Sequence, residues 1–410
     1  MKNKNYFGFL WHAIFLSLTT TFTEVNTIIP TLIVNVGGSS VHVGIVSAIV
    51  IGLPVVTKLF FSSFLSSQSK KKPYLLLGIN LRILALISIA FTLVSYQKFN
   101  FISLIILLYF ELLVFSVGGA FASLPYVYLL GGSLSKEMRM NFFTKRQLIT
   151  SIGMLLSVIT ARYILANWEY PNQYVLLFAI SSISLLIASF GFWIIKETPT
   201  KKNKKVSTLS VIRSIPTILK QDRNFLKFLL YSNILGAALA LIPFYIGFAQ
   251  KTFNLDSTTV GYVLIIQIAG MFISSFIYPK LIKNRGFKGV LYLRIFLHVL
   301  LPLIAVIIAN LNSLVGYLSI FFFIGFALSA RTISEEAALI ELTNEDNRVV
   351  YTALVGTLNF AIIIFPLILG TLIDQIGYPI IFLMSSILTL MAFPLLKSLI
   401  CPIDLKKNNK

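Results

Sequence analysis

Long runs without a charged residue recur along this 410-residue chain, among them 170–195, 228–250, 257–279, 349–373 and 375–396. Each of these is 22 to 26 residues long. A helix rising 1.5 Å per residue needs about 20 apolar residues to cross a hydrocarbon layer of ~30 Å, so each run is long enough to span a bilayer. The composition agrees: 57% of residues are hydrophobic and 12% charged, where a soluble domain carries about one quarter charged. Mean hydropathy is +0.88. A water-soluble fold is excluded. At about 20 residues per span and about 5 to 10 per connection, a chain of this length holds about twelve helices.

Tolerating isolated charges inside spans, the pattern predicts helices one to twelve at 8–35, 42–66, 74–96, 101–130, 141–166, 174–196, 224–249, 259–282, 290–310, 314–342, 349–375 and 379–400. Lys2 and Lys4 flank the first apolar run as in a signal peptide. That run continues past Glu24 to about Ile33 with no small-residue cleavage site, which predicts a retained first helix.

Net charge is +20, from 34 Lys and Arg against 14 Asp and Glu. In a soluble protein that excess would suggest nucleic acid. Here, with odd-numbered helices running outward, 27 of the 34 basic residues fall on one side, two (Lys98 and Lys251) on the other and five within spans. This positive-inside asymmetry predicts cytoplasmic termini in the cell (inner) membrane and accounts for the surplus without nucleic acid. The basic loop ends can also attract anionic membrane lipid. A single cysteine, Cys401, precludes an intrachain disulfide, and no Cys/His cluster has metal-ligand spacing, so neither a metal nor a cofactor is expected.

The basic, polar segment 197–223 divides the chain into an N-terminal six-helix part, 1–196, and a C-terminal one, 224–410. Short matches link the halves: Asn80–Ile83 with Tyr292–Ile295, Pro30 with Pro243, and the segment 39–44 with 257–261. Internal repeats of this kind are how many secondary transporters are built.

Over essentially its whole length the sequence resembles the major facilitator superfamily. The loop at 63–73 lies where that family has a G-x-L-x-D-x-x-G-R-K motif; Lys70, Lys71 and Lys72 keep its basic end, while Ser66 and Ser69 stand at the Asp and second Gly positions. The stretch 347–353, Pro366 and the segment 370–378, which contains Asp374, are similar to helix eleven of many members. Helix five has Gly153 but no Gly-Pro pair of the kind that drug/proton antiporters carry, and Glu197, Thr198 and Pro199 only faintly resemble a sugar-porter signature. The resemblance implies twelve helices in two pseudo-symmetric six-helix bundles, a monomer, and transport by alternating access.

Polar residues inside spans are the functional candidates, because a charge at the bilayer centre costs at least ~2.5 kcal/mol. On helix one, Thr20, Glu24, Thr27 and Thr31 share one helical face and Thr23, Asn26 and Pro30 the adjoining stripe. Glu24 is either a proton site or a structural carboxylate paired with a base such as Arg162. Helix seven offers Asn233, Gly236, Ala240, Pro243 and Gly247 on the equivalent face, for ligand contact or tight packing. Glu111 and Arg82 come to similar depth, which predicts an ion pair; Glu111 is the second proton-site candidate. Gln267 and Asn359 can orient a polar solute or join helices.

The expected gating or interface residues are Arg146, Arg331, Glu335, Lys71, Lys72, Arg348 and Asp374. Arg146 also reads as an interfacial anchor, Arg331 and Glu335 as an i,i+4 pair, and Asp374 as a residue shaping its turn. Lys58 can snorkel, and His298 and Arg294 read as structural. Together these groups suit a secondary transporter of a small polar solute, coupled to protons. Efflux of lipophilic cations is the alternative. A membrane-embedded transferase would need paired acids in outer loops, where only Glu169 and Asp256 occur, far apart in sequence. A non-transporting sensor stays open.

Overall fold

The apolar runs fold as helices, and no strand occurs among the residues that the computed structural model describes: 2–134, 136–197, 208–342, 351, 354–355 and 358–400. Among these described residues, ten helices are long and apolar enough to cross a membrane, from Ser40–Lys58 to Tyr378–Lys397. Two more crossings bring the number to twelve: helix one, broken into Lys2–Phe22 and Ile28–Asn35, and helix eleven, with its described part at Ala361–Ile376. The molecule is an all-α, polytopic membrane protein of two pseudo-symmetric six-helix bundles. Side chains such as Ile102, Phe91, Leu84 and Phe110 stand more than half exposed, as lipid-facing residues do. This is where much of the phenylalanine goes.

Two compact units divide the chain. The first comprises Met1–Gly38, Ile49–Thr208 and Asp256–Gly261; the second comprises Ser39–Ala48, Leu209–Leu255 and Tyr262–Lys410. Helix two is thereby shared. Its first part, Ser40–Ser47, belongs to the second unit and its last part, Leu53–Ser66, to the first. The changeover coincides with a π-helical turn at Ala48–Gly52. Such turns interrupt the regular hydrogen-bond ladder and recur at functional positions.

Within the first unit, helix one packs on the helix at Asn172–Ile194 so closely that a Cβ on Gly8 would meet the carbonyl of Gly191, and the reverse. Their lower ends are tied reciprocally: Asn5 Nδ2 donates to Lys196 O at 3.0 Å and Lys196 N donates to Asn5 Oδ1 at 2.9 Å. The second unit repeats the device. Asn224 Nδ2 donates to Ile400 O at 2.8 Å and Ile400 N to Asn224 Oδ1 at 2.9 Å. In each half an asparagine on the first helix satisfies backbone groups left open at the end of the last. The second unit also buries Phe225, Phe228, Tyr231, Leu235, Leu291 and Leu396 in one apolar cluster.

Helices eight and nine run through Ser257–Asn310 with a break at Gly286, whose φ of 65° and ψ of −178° suit only glycine.

Candidate functional site

The break in helix one has a local cause. Hydroxyls of Ser17, Thr19, Thr20, Thr21 and Thr23 bond back to carbonyls three or four residues earlier, at 2.6 to 3.2 Å. Such bonds compete with the helix ladder, and Pro30 lacks the N–H that would serve the carbonyl of Asn26. Between Phe22 and Ile28 the backbone leaves the helix, and the Glu24 carboxylate folds over the gap. It accepts from Asn26 N at 2.7 Å, Asn26 Nδ2 at 2.8 Å and Thr27 Oγ1 at 2.8 Å. This corrects the expectation of one continuous face. Thr20 bonds to Ser17 O and Thr31 to Thr27 O, so only Glu24, Asn26 and Thr27 form a cluster. These three donors to Glu24 are all local in sequence.

Helix seven has a milder counterpart: Arg223–Ala240 and Ile242–Phe253 join at the single residue Leu241, whose φ of −77° and ψ of −23° stay helical, so that 223–253 is one span with a local interruption. In both helices the proline matched between the halves, Pro30 and Pro243, sits in the first turn after the discontinuity, where its fixed φ is tolerated and its missing N–H costs nothing. Two turns before this interruption, Asn233 Nδ2 donates to Leu229 O at 3.0 Å and Asn233 Oδ1 accepts from Ala361 N at 3.4 Å. Asn359 Nδ2 reaches Ser232 Oγ at 3.3 Å, while Asn359 Oδ1 is buried without a partner. Gly236 is needed here because a Cβ would press on that oxygen. The structure thus brings Asn233, Gly236 and Asn359 together, and a pocket of about 280 Å³ opens beside them, lined in part by Asn233, Ala237, Phe360 and Ala361. Gln267, on helix eight, is fully buried with both amide atoms unpartnered. A buried polar atom left unpaired costs about 1–3 kcal/mol, so these amides are poised for a solute or water.

The expected Arg82–Glu111 ion pair does not form. Glu111 Oε1 accepts from Ser88 Oγ at 2.5 Å and Thr92 Oγ1 at 2.8 Å, and its Oε2 is buried without a partner. Arg82 places its guanidinium carbon 4.4 Å from the Phe115 ring centroid. Similar depth was not sufficient: Ser88 lies six residues along helix three from Arg82, about 9 Å farther and about 240° around.

Among the gating candidates, Lys71 and Lys72 are engaged through both backbone and side chain. Glu197 accepts from Lys71 N at 2.5 Å and Lys72 N at 3.0 Å, closing the start of the helix at Lys72–Val94, and Lys72 Nζ donates to the carbonyls of Trp193 and Ile195 at 2.8 Å. The carboxylate missing at Ser66 is supplied from beyond helix six, by a residue that had seemed a faint signature. Loss of a charged cap of this kind costs about 2 kcal/mol. Glu197→Ala is therefore expected to lower the denaturation midpoint in detergent, with Glu197→Gln recovering part of it; an unshifted midpoint would mean that water replaces the cap.

Asp374 does more than shape its own turn. It accepts from Ser40 N at 3.1 Å and Val41 N at 3.2 Å, capping the first turn of helix two, while Ser40 Oγ and Tyr378 Oη are 3.0 Å apart. Arg146 is partly buried, with its guanidinium carbon 5.9 Å from the Tyr126 ring centroid. The ring of His12, which sequence reasoning passed over, is 6.1 Å from that of Tyr126 and 4.2 Å from that of Phe192, and its Nδ1 is buried without a partner. Its one signal was being the only imidazole in the uncharged run 5–23. The side chain of Glu335, and with it the Arg331–Glu335 pair, lies outside the described residues, as does Arg348. No group of metal-ligating side chains occurs among the described residues.

A family model described as Major Facilitator Superfamily matches residues 10–359. Among solved structures, the nucleoside transporter NupG superposes with a TM-score of 0.64 at 13% identity, covering 97% of this chain and 99% of that one; a mutant of NupG gives 0.65 at 14%, over 97% and 98%. A bacterial homologue of the human lysosomal transporter Spinster, in an inward-facing and unoccupied conformation, gives 0.59 at 12% identity over 96% of each chain. No curated protein sequence matches. At these identities the likeness is one of fold.

Proposed function

The chain belongs to the Major Facilitator Superfamily, and from that premise we propose that it is a secondary active transporter that moves a small polar organic solute by alternating access, driven by protons. The observation that carries this reading is the pair of interrupted helices. Helix one is broken and helix seven is interrupted at a single residue, each beside a matched proline and first in its half, and discontinuous helices in corresponding positions of two repeats mark the solute site in many transporters. Polar groups sit at or near both discontinuities. Thr20, Asn26 and Thr27 of helix one and Asn233, Gln267 and Asn359 of helices seven, eight and eleven are the proposed solute contacts. Glu24 is the first proposed proton carrier and Glu111 the second. The termini and the lysine-rich loop ends are assigned to the cytoplasmic face of the cell membrane by their charge asymmetry.

The test is a thermal-stability screen of the purified protein in detergent, at two pH values, against sugars, nucleosides, amino acids, other small metabolites and lipophilic cations. A ligand at a hundred times its dissociation constant stabilises by about 2.7 kcal/mol. The expected result is a polar hit whose strength changes with pH. Stabilisation by lipophilic cations alone would replace this reading with drug efflux, and a ligand that binds but is not carried into proteoliposomes would identify a sensor.

A further inference from the structure

A second cavity in the second unit takes no part in the proposed solute path. It is a groove of about 820 Å³ between the end of helix eight, the start of helix nine and helix twelve. One end carries Lys280, Asn284 and Arg285, with Lys280 and Arg285 exposed, and no acidic side chain among the described residues lines it. The rest is apolar, along Phe296, Leu300 and Leu390. Phe296 and Leu390 are more than half exposed, as befits a wall open to lipid.

We propose that this groove binds one anionic phospholipid, its phosphate between Lys280 and Arg285 and an acyl chain along helix nine. Length selects the occupant. From Gly289 to Leu300 the groove follows helix nine for about 16 Å at 1.5 Å per residue, close to the ~15 Å hydrocarbon depth of one leaflet. A free phosphate would use the basic end and leave that apolar length unfilled, and a zwitterionic headgroup would bring no net charge to two cations. Basic pockets between helices at the cytoplasmic side recognise acidic headgroups in this way. The site is also held in shape. Lys288 Nζ donates to Leu399 O at 2.9 Å, tying the Gly286 turn to the end of helix twelve, and the rings of Tyr292 and Phe393 meet at 5.5 Å across the groove.

The proposal rests on the orientation assigned above but not on transport, since binding is read on the purified chain without flux; either can fail without the other. The experiment titrates the full chain in detergent with phosphatidylglycerol, with phosphatidylcholine of the same acyl chains, and with inorganic phosphate, counting bound lipid by native mass spectrometry. Phosphatidylglycerol is expected to bind most tightly. Replacing both cations, K280Q with R285Q, should weaken it by about fivefold per side chain while leaving phosphatidylcholine unchanged. Leu300→Trp, which fills the apolar end, should weaken both lipids. Equal affinity for the two lipids, full affinity in the double variant or in Leu300→Trp, or an equal effect from inorganic phosphate would each overturn it.

Discussion

Glu24→Gln is expected to abolish uphill accumulation of solute while leaving solute exchange within about tenfold of the parent, the equivalent of 1.4 kcal/mol in the barrier. Exchange needs the site and the conformational change but no net proton movement. Accumulation needs a group that gains and loses a proton in each cycle. Glutamine keeps one oxygen for Asn26 Nδ2 or Thr27 Oγ1, so the fold of the break survives the change while the titrating group does not. Glu24→Ala separates the two roles. It removes the acceptor for three donors at once, and the non-helical segment between Phe22 and Ile28 should lose about 3 kcal/mol, with exchange falling as well. Counterflow and gradient-driven uptake in proteoliposomes read the two quantities separately. If Glu24→Gln accumulates normally, Glu24 is only the staple of the break. The proton role then passes to Glu111, whose Oε2 is buried without a partner, and Glu111→Gln becomes the decisive variant.

That two carboxylates compete for one role reflects what periodicity can and cannot express. The spans were legible because bilayer thickness sets helix length, and the half-chain repeat was legible in Pro30 and Pro243. The placement of Glu24 by helical spacing assumed an unbroken helix. The hydroxyl-rich run from Ser17 to Thr23, ahead of a proline, held the opposite signal, since each hydroxyl offers the backbone a rival partner. Glu197 and Asp374 were harder for another reason. Each serves a helix start far away in sequence, at Lys71 and Lys72 or at Ser40 and Val41, and no local spacing connects them. The reciprocal asparagine ties, Asn5 with Lys196 and Asn224 with Ile400, mark the repeat more clearly than any of the sequence matches, yet each is a single amide in a polar flank.

Asp374→Asn is expected to free the first part of helix two from helix eleven about ten times more often than in the parent. Asparagine retains one acceptor of the two that Ser40 N and Val41 N now use and loses the charge that favours a helix N-terminus, a combined loss of about 1.5 kcal/mol. The seam has little slack: a Cβ on Gly44 would meet the carbonyl of Pro366, and one on Gly370 the carbonyl of Ser40, so it is either closely packed or open. The π-helical turn at Ala48–Gly52 supplies a place for helix two to bend, because it is there that the chain passes from one compact unit to the other. In the proposed orientation the capped turn lies at the outer face, which would make Asp374 a gate that must release before solute can enter or leave on that side. With Cys401 replaced by serine, a cysteine at Ser47, buried one turn after Gly44, can be labelled from outside by an impermeant maleimide. Labelling at the rate of opening should rise about tenfold in Asp374→Asn, in step with the loss of capping energy. A labelling rate that does not change would show that packing alone holds the seam, and Asp374 would then return to the smaller role of finishing its own helix.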